Sequence, residues 1–98
     1  MLSSTTVLRA VARVCEVKVS ALRKTIRGRE GNLPRKLAAY WLVMGANLKN
    51  TEAGEVLEMH PVRVSQALRE IRERRFSVYK DRDLDALMTE LEAEILNR

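Results

Sequence analysis

Apolar positions recur along this chain at helical spacing almost throughout, and no segment alternates over the length of a strand; Val17 and Val19 alone are too short to count. Val7, Val11 and Val14 form one stripe, predicting a first helix from about Thr5 to Val14 with Ser4 or Thr5 as N-cap. Ser20 caps a short second helix through Lys24. A breaker loop follows from Thr25 to Asn32, with Gly28 and Gly31 in it. Pro34 suits the first turn of a third helix ending near Asn47, which is expected to bury Leu37, Tyr40, Trp41 and Met44. Asn50 or Thr51 caps a fourth helix reaching Leu57. After a turn at Glu58 to His60, Pro61 opens a fifth helix to about Arg75. Asp81 or Asp83 starts a sixth, on which Leu84, Leu87, Met88, Leu91 and Ile95 make an i, i+3, i+4, i+7, i+11 stripe. The fold class is therefore all-α.

Six helices in 98 residues, 46% of them hydrophobic and 32% charged, describe one small globular unit with little room for an enzyme cavity. Charge divides it. Residues 1–80 carry 16 Lys/Arg against 7 Asp/Glu, a balance of +9, whereas residues 81–98 carry 2 against 6, a balance of −4. A basic body and an acidic amphipathic tail helix should do different work, and the basic body makes a polyanion the first expected partner. The tail helix either covers the domain's own core or pairs with a copy of itself or another protein.

The stretch from Gly54 to Leu68 has the spacing of a helix-turn-helix, expected over about residues 51–74. Gly54 sits where two helices touch, and Val56, Leu57, Met59 and Val64 anchor the turn, with Ala67 and Leu68 following. The outward positions of the second helix are then Val62, Arg63, Ser65, Gln66 and Arg69, with His60 preceding it. Arg pairs with guanine and Gln with adenine in the major groove, so this face has the chemistry to read base edges. Glu58 departs from the pattern: it stands where glycine is usual, and its carboxylate is unwelcome beside DNA. The competing reading is a solvated helical hairpin.

From about Thr6 to Arg75 the chain resembles the C-terminal DNA-binding domain of the bacterial replication initiator DnaA, whose fold is similar to that of the Trp repressor. The stretches that carry the resemblance are Thr6-Val-Leu-Arg-Ala-Val-Ala, Val17-Lys-Val-Ser-Ala-Leu, the basic loop Arg27-Gly-Arg29 leading into Leu33-Pro34-Arg35-Lys36-Leu37-Ala38, and the helix-turn-helix. The resemblance implies a six-helix bundle, Arg27 with Arg29 in the loop that reaches the minor groove, and Arg35 on a phosphate. Lys36, where the family has Gln, favours a phosphate over a base. Met59-His60-Pro61-Val62-Arg63 replaces the family's Arg-Asp-His-Thr-Thr run, so the family's target sequence is not implied. Similar domains are also appended to bacterial transposases.

Catalysis finds little support. Cys15 and His60 are the only residues of their kinds, Cys15 continues the apolar stripe of the first helix, and no P-loop occurs, so neither cofactor nor metal is expected. Glu90, Glu92 and Glu94 splay around a helix instead of converging on a metal. A lone Cys, no signal peptide and no membrane-length apolar run make the expected location cytoplasmic, at the nucleoid. The function expected is sequence-specific binding of double-stranded DNA in bacterial or phage transcription or replication control, with a homodimer possible. The alternative is a protein-protein interaction module that kept the fold and lost the DNA.

Overall fold

A computed structural model describes residues 2–26, 31–74 and 78–96. It is predominantly helical: α1 (Ser4–Cys15), a 3₁₀ turn (Val19–Arg23), α2 (Leu33–Met44), α3 (Asn50–Leu57), α4 (Pro61–Arg72) and α5 (Leu84–Leu96). Among the described residues there are thus five α-helices, the second expected helix being a 3₁₀ turn preceded by Lys18 and not capped by Ser20. A two-residue antiparallel ladder, β1 (Val78–Tyr79) with β2 (Arg82–Asp83), precedes α5. Lys80 and Asp81 between the two strands both have positive φ, 49° and 63°, which matches the twist of a tight two-residue hairpin. Strands this short leave no alternation to find.

Helix starts are set by small polar side chains. Ser3 Oγ accepts the Thr6 N–H at 3.1 Å, one residue before the expected caps, and Asp83 Oδ1 accepts the Ala86 N–H at 2.7 Å. Asn32 Oδ1 accepts the Arg35 N–H at 3.2 Å, while its Nδ2 donates to Ala21 O and Lys24 O at 2.8 and 3.0 Å. One buried side chain therefore starts α2 and ties it to the 3₁₀ turn. Lys49 stands before α3, and its N–H donates to Glu52 Oε1 at 2.8 Å, the returning half of a capping box.

The core gathers Val7, Val11 and Cys15 of α1, Leu22, Leu37 and Leu42, Leu57, Val64 and Ile71, and Leu87, Leu91 and Ile95 of α5. Helix α2 lies against α1, α3 and α4, and α5 covers the other side of α1. Trp41 is buried with Tyr40 half-buried edge-on against it, but Met44, the last residue of α2, is 52% exposed, because the helix stops three residues short of Asn47. The tail helix completes the domain's own core: Leu84, Leu87, Met88, Leu91 and Ile95 are all buried. Its acids meet cations of the body, in Arg13–Glu94 (3.0 Å) and Arg74–Asp85 (2.8 Å), and the hairpin's Arg82, in Arg82–Glu90. No helix among the described residues is long and apolar enough to cross a membrane.

Candidate nucleic-acid interface

Helices α3 and α4 are joined by three residues, and the join is fixed from three sides. Glu58 adopts the left-handed conformation (φ 56°, ψ 48°), its N–H donating to Glu55 O at 3.4 Å while the Met59 N–H donates to Gly54 O at 2.8 Å. This double closure is a Schellman motif. A Cβ on Gly54 would lie 2.5 Å from Met59 O, so only glycine lets the turn fold back over the helix. His60 then starts α4: its Nδ1 accepts the Val62 N–H at 3.1 Å, which leaves the proton of the neutral ring on Nε2. Val64, Ala67, Leu68 and Ile71 bury the inner face of α4, while Val56 and Met59 are half-buried against the core.

The third side is Arg35. Its Nη2 donates to Leu57 O at 3.0 Å and Glu58 O at 2.8 Å, and its Nη1 to Thr25 Oγ1 at 3.1 Å. Arg23 Nε adds a bond to Val56 O at 2.9 Å. Carbonyls at a helix C-terminus lack intrahelical donors and carry the negative end of its dipole, so two guanidiniums satisfy both needs. Burial lowers the pKa of Arg35, with Arg63 acting in the same direction and Glu58 opposing them. The side chain expected on a phosphate thus has an intramolecular occupation, which the sequence offered no way to see: its partners lie 22 and 23 residues further on. Lys36, the second expected phosphate contact, donates from Nζ to Glu70 Oε2 of α4 at 2.7 Å.

The remaining expected residues divide three ways. Val62, Arg63, Gln66 and Arg69 are exposed on α4, and their side chains have no hydrogen-bond or ion-pair partner among the described residues. Ser65 is exposed too, but its Oγ accepts from Asn50 Nδ2 at 2.8 Å, bracing the start of α3 against the middle of α4. Arg27 and Arg29 lie outside the described residues. A groove of about 430 Å³ brings Arg35, Lys36, His60, Arg63 and Gln66 together, bounded on its far side by Thr25, Ile26 and Gly31, the residues that flank the basic loop. Glu58 and Glu70 also line it.

Asn32 and Arg23 are the site-supporting residues that sequence reasoning missed. Asn32 carried a legible signal, an N-cap type two residues before Pro34. Arg23 carried none. Cys15 is fully buried in the core, and burial raises its thiol pKa from 9.0 to about 11 despite nearby Arg82 and Lys80. Among the described residues, no three His, Cys, Asp or Glu side chains gather where a metal could be held. No family model matches the sequence, and no curated protein or solved structure matches it either.

Proposed function

We propose that the chain binds double-stranded DNA, with α4 as the recognition helix of a helix-turn-helix in the major groove and the basic loop at Arg27 and Arg29 in the adjacent minor groove. The observation that carries this reading is the outer face of α4. Val62, Arg63, Gln66 and Arg69 follow one another at helical spacing, are solvent-exposed, and have side chains without a described partner, on a helix whose seating is fixed by Gly54, the Glu58 turn and Arg35. Here the paired groups, Arg35, Lys36 and Ser65, are the ones that hold the frame.

Arg63 and Gln66 are the base readers, able to pair with guanine and adenine edges. Arg69, Lys24 and Lys49, whose side chains are exposed and without a described partner, supply phosphate contacts. The resemblance to the replication initiator's DNA-binding domain supports a Trp-repressor-like fold and a bacterial or phage origin, with a role in transcription or replication control. A second reading, a protein-binding module, is favoured by Glu58 and Glu70, which put carboxylates on the same groove. Titrating a fluorescent random-sequence duplex over a range of salt separates the two. The DNA reading predicts binding whose logarithm falls with log salt at a slope of about −3 to −5, at about 0.9 per phosphate contact. A flat salt response, or no binding at low salt, leaves the protein-binding reading in possession.

A further inference from the structure

Two helices of this protein end in the same way. Helix α1 closes on Glu16 (φ 58°, ψ 46°) and α3 on Glu58 (φ 56°, ψ 48°), each by a Schellman pair of hydrogen bonds. Both put a side chain where glycine adopts the backbone conformation without a steric penalty. The surroundings differ. Glu16 lines a cleft with Lys80 and Arg82 at the hairpin, whereas Glu58 stands on the groove beside the outer face of α4.

The fold makes little use of the Glu58 carboxylate. It is 70% exposed, and the nearest cation, Arg23 Nε, is 3.7 Å away with its hydrogen bond given to Val56 O. An exposed pair of that geometry adds little stability. Its field acts instead on the groove, which it lines together with Glu70, Arg35 and Arg63, and where it opposes the charge of Arg35.

We infer that Glu58 is a brake on DNA affinity: its carboxylate repels the phosphate backbone at the turn, lowering the sequence-independent part of the affinity for every duplex. The inference rests on the DNA-binding reading of this face. Affinity for any duplex comes mostly from phosphate neutralisation, and discrimination from base edges, so a negative charge beside the reading helix subtracts from the first and leaves the second. Because the phosphate part is common to every duplex, such a residue weakens specific and non-specific binding by a similar factor and leaves their ratio unchanged.

The test compares the wild type with Glu58→Gln, Glu58→Gly and the control Glu16→Gly. The probes are a random-sequence duplex and a duplex selected from a random pool by the wild-type protein, with folding followed by circular dichroism. Glu58→Gln should bind the random duplex about three- to tenfold tighter at low salt, the scale of one like charge removed from near a phosphate or two in water. The selected duplex should gain by a similar factor, so that the affinity ratio stays near that of the wild type. Glu58→Gly, which also relieves the backbone, should act in the same direction, and Glu16→Gly should change neither affinity. Unchanged or weaker binding of random duplex by both Glu58 variants overturns the inference while leaving wild-type DNA binding standing. Failure of the wild type to bind any duplex removes the DNA reading, and the inference with it.

Discussion

The Arg35 guanidinium closes the C-terminal end of α3 and reaches back to Thr25, so one side chain joins α2, the segment after the 3₁₀ turn and the α3–α4 turn. Its removal leaves the Leu57 and Glu58 carbonyls without their donor. Arg35→Ala is expected to lower stability by about 2–4 kcal/mol in urea denaturation, the range for losing charge-assisted hydrogen bonds at partly buried carbonyls. Arg35→Lys should recover little of it, because an ammonium cannot span the fork that the guanidinium spans. A loss under about 0.5 kcal/mol, within the range of ordinary surface substitutions, would show that the clamp does not matter. Cys15 gives a pH signature of its own. With the folded thiol titrating near 11 and the free one near 9.0, the unfolded chain loses its proton first as pH rises. Stability should therefore fall between those values by on the order of 2–3 kcal/mol relative to Cys15→Ala, and the difference should be constant below pH 9. Parallel pH profiles for the two proteins would contradict the burial argument.

Among the elements, the α3–α4 pair and the end of α1 are built by one device: a left-handed Glu closes the helix, and cations from distant segments cover the last carbonyls. Arg23 and Arg35 serve α3, while Lys80, with Tyr79 and Arg82, serves α1 through Cys15 O, Glu16 O and Val14 O. Gly54 is the least replaceable position of the pair. Gly54→Ala would set a methyl 2.5 Å from Met59 O, and since that atom is backbone the turn itself must move. We expect a cost of about 2–3 kcal/mol and, in a variant that still folds, weaker and less selective DNA binding from a misplaced α4. Near-wild-type melting and binding would mean that the turn is looser than its geometry implies. Existence and order of the helices were legible from periodicity, and Gly54, Pro34 and Pro61 gave away the joins. Ends were not: α2 stops at Met44 because the chain turns at Gly45 and Ala46, and a residue's exposure at a helix end depends on that stop. Nor was the second helix, whose five residues are too few to show whether their spacing is 3.0 or 3.6. For the candidate site, the sequence exposed the outer residues of α4, but periodicity gives only which way a side chain faces. It says nothing of long-range occupations such as those of Arg35 with α3 and Lys36 with Glu70.

At the scale of the whole molecule, the Cα radius of gyration of 12.0 Å matches the roughly 13 Å of a 100-residue single domain, with the acidic tail helix included. Helix α5 is thus a wall of the core and the acidic counterweight of the body. Its ion pairs with Arg13, Arg74 and Arg82 are largely exposed, so they orient it, while the buried apolar stripe supplies the energy. Leu91→Ala should cost about 2–5 kcal/mol and lower a single cooperative unfolding midpoint for the entire chain. Loss of α5 signal in a separate, earlier transition would instead make the tail an independent appendage. The tail's acids pair with Arg13, Arg74 and Arg82, and the side chains of Arg63 and Arg69 on α4 have no described acidic partner.

The central claim, that the outer face of α4 reads base edges, is tested most directly by one measurement. It is the ratio of affinities for a selected and a random duplex, in the wild type and in Arg63→Ala and Gln66→Ala. Each substitution should cost about 1–3 kcal/mol on the selected duplex and much less on the random one, relaxing preference at one or two base pairs. If both variants stay folded and keep the wild-type affinity and ratio, α4 is not a reading helix and the proposed function fails.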